Sequence, residues 1–161
     1  MLEREAFDDT QEQEAYYYFM KNIGFNQASS IIHRLLEDVR HQYEKIVLVG
    51  FSVGATIAWL CSEEELVDGI VGYYGSRIRD YVSLSPQCPA LLFFPQSEAS
   101  FDVSELVETL RDKTNVEVHQ LEGKHGFSNP YSPAYHKQSA VAAFHKMMCF
   151  IQKCRGESNR S

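Results

Sequence analysis

Apolar residues along this chain follow two rhythms, and the change from one to the other predicts the architecture. Ala28, Ile31, Ile32, Leu35, Leu36 and Val39 recur at three- and four-residue spacing, the period of a helix with one buried stripe. Asn26 is placed to cap that helix, which the pattern carries to about residue 42. Past residue 44 the apolar residues gather instead in short stretches, at about 45–50, 69–74, 90–95 and 116–121. Such runs suit strands covered on both faces. Helical segments are expected at about 53–63, 103–113 and 134–154, with a short irregular crossover over 76–89. Doubly buried strands alternating with helices predict an α/β fold, a three-layer α/β/α sandwich around a mostly parallel sheet.

The ends are less patterned. Residues 1–12 are polar and carry no period. Ala15 to Met20 are aromatic enough for a strand but flanked by helix formers, and are read as helix. One domain over 1–154 is expected, with 1–25 its poorly defined N-terminal segment and 155–161 a flexible tail. In the last helix Ala140, Val141, Phe144, Met148 and Ile151 form a stripe expected to face the core. His33 and His41 fall away from the stripe of their helix and are expected in solvent.

Composition narrows the function classes. The 161 residues, 44% hydrophobic and 23% charged, suit one ordinary globular domain with a real core. A formal net charge of −7 with no basic run argues against nucleic acid and anionic membrane surfaces as partners. No apolar run approaches a membrane span, and the acidic start lacks the apolar segment of a secretory signal. Cys61, Cys88, Cys149 and Cys154 show no CxxC or zinc-site spacing. Cys61 and Cys149 fall on apolar helix faces, where a thiol is inert packing. The reading is a reduced, cytoplasmic protein that uses neither a metal nor an organic cofactor.

The candidate chemistry begins at Gly50-Phe51-Ser52-Val53-Gly54, between an expected strand and an expected helix. Serine at such a junction, with glycine two places either side, has the pattern of a nucleophile elbow. Side chains at Gly50 and Gly54 are expected to collide with neighbouring backbone. The turn would lift Ser52 clear and leave the Val53 N–H at a helix start, where partial positive charge favours an oxyanion. Two other readings stay open: glycines serving only close packing, and a phosphate-cradling turn. The dinucleotide fingerprint needs glycine at positions 50, 52 and 55, and this chain has Gly50, Ser52 and Ala55.

Reactive groups of a parallel sheet collect at the carboxyl ends of its strands. The third run is followed by Glu98 and Asp102, the fourth by His125. Serine, acid and histidine thus occur in the α/β-hydrolase order. His125 is the candidate base, since an imidazole can take a proton and return it, and Gly123 and Gly126 free the backbone that aims it. Glu98 is favoured as the acid. Asp102 is the alternative, but Asp102-Val103-Ser104-Glu105 reads as a capping box for the next helix. Around the site, Phe51 follows the elbow glycine, while Tyr74, Ser76 and Arg77 follow the second run. Arg77 is either a clamp for a substrate carboxylate or a solvated arginine. Phe127 is either an apolar wall of the pocket or core packing.

Taken together, GFSVGA, then Val71-Gly72-Tyr73-Tyr74-Gly75, then KHGFSNP with Tyr131 and a long closing helix resemble the dienelactone hydrolase family of α/β-hydrolases, over about residues 27–153. The resemblance implies Ser52 as nucleophile, Glu98 as acid, His125 as base, and a small ester or lactone as substrate. Serine stands where members often carry cysteine, as in the esterase-type members, and glutamate where the acid is usually aspartate. The expected activity is that of a serine hydrolase cleaving a small ester, lactone or thioester through an acyl-enzyme. The family's early strands, and the second oxyanion donor that follows one of them, are not found in residues 1–25. Strand 45–50 is therefore expected at or near a bare sheet edge, so that the chain pairs there with another copy or is a shortened version of a longer protein. The competing class is a non-catalytic interaction module built on the same fold.

Overall fold

Strand order explains where the helices lie. In the computed structural model, which describes residues 7–156, β1 (Val47–Phe51), β2 (Gly69–Tyr73), β3 (Ala90–Pro95) and β4 (Val116–Leu121) form a parallel sheet in sequential order. Val49 pairs with Val71, Val71 with Leu91, and Leu91 with Glu117 across the sheet. Three right-handed crossovers that all step in one direction must put their connections on one face. There lie α3 (Val53–Cys61), a 3-10 segment at Ser76–Tyr81 and α4 (Val103–Arg111), with α2 (Gly24–Arg40) packed outside α3. The opposite face is covered by α5 (Lys137–Cys154), which packs on β2 and β3. The result is the three-layer α/β/α sandwich.

Alternate residues of β3 feed the two cores. Leu92 and Phe94 join Trp59, Leu106 and Leu110 under α3 and α4, while Leu91 and Phe93 join Phe127, Ala143 and Phe150 under α5. β2 and β3 are buried along their whole length. β1 has one sheet neighbour among the described residues, and its Val49 and Phe51 stay 40% and 49% exposed. Residues 7–25 contain no strand: a 3-10 turn at Asp9–Gln11 leads into α1 (Glu12–Asn22). Residues 1–6 and 157–161, where an unpatterned start and part of a tail were expected, lie outside the described residues. No helix among the described residues is long and apolar enough to cross a membrane.

Four local expectations are corrected. The stripe through Val141, Phe144 and Met148 faces outward, and α5 instead seats the row through Ala143, Met147 and Phe150. Both rows are apolar, so periodicity does not choose between them. The choice follows from Gly69, whose bare Cα lets Phe150 and Cys154 descend on β2; a Cβ there would lie 2.8 Å from Cys154 Sγ. Cys149 is consequently exposed rather than packed. Asn26 does not cap α2, which starts at Gly24 so that Phe25 can bury its ring against Phe19 and Tyr81, at 5.2 and 6.0 Å. His33 is half-buried and paired with Glu64, with Glu37 3.6 Å away, whereas His41 is exposed.

Asp68, just before β2, ties the end of α2 to the start of β1. Its carboxylate accepts the Ile46 N–H, Arg40 Nη1 and Lys45 Nζ, each at 2.9 Å. Burial alone would raise its pKa, but the Ile46 N–H and the two cations outweigh that and hold it below the ordinary aspartate value. A depressed folded-state pKa stabilises the protein above the unfolded value, near 4, and that contribution is lost as pH falls through the folded value. Asp68→Asn is therefore expected to cost about 1–3 kcal/mol at pH 7, the worth of bonds to a charged group. The gap to wild type should narrow as pH falls below about 4 and through the depressed folded-state value, where the carboxylate becomes neutral like the amide. Urea midpoints at pH 7 and pH 3 measure both.

Candidate active site

Ser52 stands between β1 and α3 in a strained backbone conformation, φ 53° and ψ −115°. A β-carbon at positive φ costs of order 1–3 kcal/mol and persists only where surrounding bonds enforce it. Here the Ser52 N–H donates to the Tyr73 carbonyl at 2.9 Å, and its own carbonyl accepts the Ala55 and Thr56 N–H groups at 3.1 and 3.4 Å. Gly50 makes the turn possible, since a Cβ there would sit 2.2 Å from the Gly54 carbonyl oxygen. Gly54 differs from expectation: a Cβ on it would meet nothing within 4 Å. Instead, Gly72 and Gly75 admit α3, because Cβ atoms there would press on Ala55 at 3.3 and 3.0 Å.

Three separate loops converge on this serine. His125 Nε2 lies 2.9 Å from Ser52 Oγ, and His125 Nδ1 lies 2.8 Å from Glu98 Oε1. The imidazole is carried past β4 between Gly123 and Gly126, whose φ values of +120° and +85° suit glycine. Glu98 sits three residues past β3, with its side chain only 10% exposed. Asp102 is elsewhere occupied, its carboxylate accepting the Ser104 and Glu105 N–H groups at the N-terminus of α4. The Val53 N–H is the first of α3 and has no acceptor within the helix.

One residue of the cluster carried no role in the sequence reading. Ser76 Oγ lies 2.9 Å from Glu98 Oε1 and 3.3 Å from His125 Nδ1. The available signal was its place at the carboxyl end of β2, beside the strands that deliver Ser52 and Glu98.

Above Ser52 opens a cleft of about 830 Å³, within the size range of small-molecule sites. Phe51 lines it, as do Arg77 and Arg79, and α1 supplies Tyr16 and Phe19 from across the opening. Arg77 Nε is 3.1 Å from Asp80, so its charge is already partly matched. Tyr74 and Phe127 do not line the cleft. They stand behind the histidine: the Tyr74 ring is 4.9 Å from the imidazole, its hydroxyl is 2.9 Å from Ser128 Oγ, and fully buried Phe127 meets it edge-on at 5.4 Å. Burial pushes the Tyr74 hydroxyl above its ordinary pKa, suiting a neutral support.

Several other nucleophiles and bases are committed elsewhere. Burial pushes the Cys61 and Cys88 thiols up to about 11, far from the reactive thiolate form. His119 pairs with Glu117 and stacks on Phe93, and His136 caps α5 by accepting from Ser139.

Comparison with known proteins bears on the family and the fold. The dienelactone hydrolase family model matches residues 1–155. The chain belongs to the dienelactone hydrolase family. It is 41% identical over 152 residues to the uncharacterized protein YczH of Bacillus subtilis (strain 168), a match covering 93% of this chain and 72% of that one. Among solved structures, an esterase from Thermogutta terrifontis superposes with a TM-score of 0.57 at 16% identity, covering 85% of this chain and 66% of its own. A cold-adapted esterase from an Arctic intertidal metagenomic library gives 0.54 at 15% identity, covering 76% and 58%. At such identities the two esterases show the α/β-hydrolase fold alone. The chain spans about two thirds or less of their length. The four strands of this member of the dienelactone hydrolase family thus correspond to part of the longer proteins' α/β-hydrolase fold.

Proposed function

We propose that the chain is a serine hydrolase that cleaves a small ester, lactone or thioester through an acyl-enzyme. The observation that carries this reading is the unbroken line from Ser52 Oγ through both nitrogens of His125 to Glu98, with steps of 2.9 and 2.8 Å. Ser52 Oγ attacks the substrate carbonyl carbon while its proton passes to His125 Nε2. Glu98 accepts the Nδ1–H, which fixes the tautomer and supports the imidazolium. Negative charge on the carbonyl oxygen meets the Val53 N–H at the positive end of α3. Collapse expels the alcohol or thiol, which takes the proton from His125, and a water repeats the sequence to free the acid.

The cleft favours a compact acyl group. Tyr16, Phe19 and Phe51 offer apolar walls, while Arg77 and Arg79, each already partly engaged by Asp80 or the Ser76 carbonyl, give the cleft a cationic side for a polar or anionic end. The Thermogutta terrifontis esterase has been solved with propionate and with butyrate bound, which makes short p-nitrophenyl esters reasonable first substrates. The test is labelling with a fluorophosphonate followed by peptide mass spectrometry. The adduct is expected on Ser52, and none is expected on Ser52→Ala. Undiminished labelling of Ser52→Ala would remove Ser52 from the mechanism.

A further inference from the structure

We infer that Ser76 is a positioning residue that locks the Glu98 carboxylate in the orientation His125 requires; this rests on the Ser52–His125–Glu98 reading above. Ser76 has one hydroxyl proton and three neighbouring acceptor positions: Glu98 Oε1 at 2.9 Å, His125 Nδ1 at 3.3 Å and the Tyr74 carbonyl at 3.5 Å. With Nε2 facing Ser52 as the base, Nδ1 carries a proton and donates to Glu98, so it cannot accept from Ser76. The hydroxyl therefore donates to the charged oxygen, the nearest and strongest acceptor. Glu98 Oε1 takes two donors at once, from His125 and from Ser76.

The backbone is built to hold that hydroxyl. Tyr74 adopts φ 42°, and Gly75 follows at φ −76°, ψ 72°, an inverse γ-turn closed by the Ser76 N–H on the Tyr74 carbonyl at 2.9 Å. A Cβ at Gly75 would lie 2.7 Å from Ile78 and 3.0 Å from Ala55. On the far side Arg79 Nη1 donates to the Ser76 carbonyl at 2.6 Å. Strain before Ser76 and a charged donor after it leave its side chain little choice of direction.

Glu98 needs such a lock. Glutamate has one more rotatable bond than aspartate, and this one stands on an irregular stretch between β3 and α4. An unrestrained carboxylate would spend its time in arrangements that leave Nδ1 without its partner. A hydroxyl at the carboxyl end of β2 removes that freedom from a direction His125 does not occupy.

The test is a double-mutant cycle on p-nitrophenyl acetate hydrolysis, with fluorophosphonate labelling rates where turnover is slow. Ser76→Ala should lower kcat roughly tenfold to a hundredfold, the range for a hydrogen bond to a charged group, with KM little changed. Ser76→Thr, which keeps the hydroxyl, should return to within a few-fold of wild type. In a Glu98→Ala background, Ser76→Ala should cost less than about twofold, because a residue acting through Glu98 loses its purpose there. Should the alanine variant fail to fold, Ser76→Cys, of similar volume but a weak donor, is expected to lose several-fold. Equal losses in both backgrounds, a loss confined to KM, or unchanged activity of Ser76→Ala or Ser76→Cys would overturn the role. Absent labelling of the unaltered chain at Ser52 would instead strike the parent reading, so the two failures are distinguishable.

Discussion

Ser52→Ala and His125→Ala are each expected to lower kcat for p-nitrophenyl acetate by about 10⁴-fold or more, and the double variant by no more than either alone. The equality follows from geometry. Oγ and Nε2, 2.9 Å apart, are the two ends of one proton transfer, and removing either end removes the same event. Cys61 and Cys88 are buried thiols, and His119 and His136 are held by Glu117 and Ser139, so none of these replaces either end. KM should move little, because the side walls of the cleft come from α1, Phe51 and the arginines. Residual turnover in the variants would come from the Val53 N–H and from binding alone. Steady-state kinetics on the three variants decide the matter. Multiplicative losses would mean that the serine and the histidine do not act as a unit.

Most of the fold was legible because a strand buried on both faces can hide nothing polar. Ala90–Pro95 was read at its observed bounds for that reason, whereas Val116–Leu121, an edge strand carrying Glu117, His119 and Gln120, was read at its bounds without that signal, and α3 and α4 followed from alternation. His125 could be singled out because flanking glycines at positive φ are a backbone requirement that survives in sequence. The rest depended on contacts between distant segments. α1 gives the cleft Tyr16 and Phe19 yet has no buried residue, so no apolar stripe announced where it would lie. The seated face of α5 was decided by the bare Cα of Gly69, half the chain away. Tyr74 was placed at the pocket because it follows β2, but its positive φ turns its ring behind the imidazole, and of the two readings left open for Phe127 it is core packing that its full burial fits. Ser76 was placed near the site but given no role, because a lone serine after a strand has no pattern; only the 2.9 Å contact with Glu98 gives it one.

Gly50→Ala is expected to be the most damaging single change to folding, with a cost above about 4 kcal/mol, and Gly54→Ala among the mildest. The two glycines look equivalent in sequence, and their surroundings are opposite. At Gly50 an added methyl would lie 2.2 Å from the Gly54 carbonyl oxygen and 2.6 Å from the Ala55 nitrogen, both backbone atoms that no rotamer change can move aside. Relief would require α3 to lift from the sheet. That lift would break the Ser52 N–H bond to Tyr73 and pull Ala55 off Gly72 and Gly75. Against a total stability of about 5–15 kcal/mol for a domain of this kind, such a cost leaves little folded protein. Gly54 lies in the first turn of α3 with open space where its Cβ would be, and alanine is the better helix former by up to about 1 kcal/mol. Gly54→Ala should therefore match or slightly exceed wild-type stability. Urea unfolding followed by circular dichroism separates the two cases. Equal tolerance of both substitutions would mean that β1 and α3 do not approach as closely as the elbow requires, and Ser52 would then lose the strained turn that presents it.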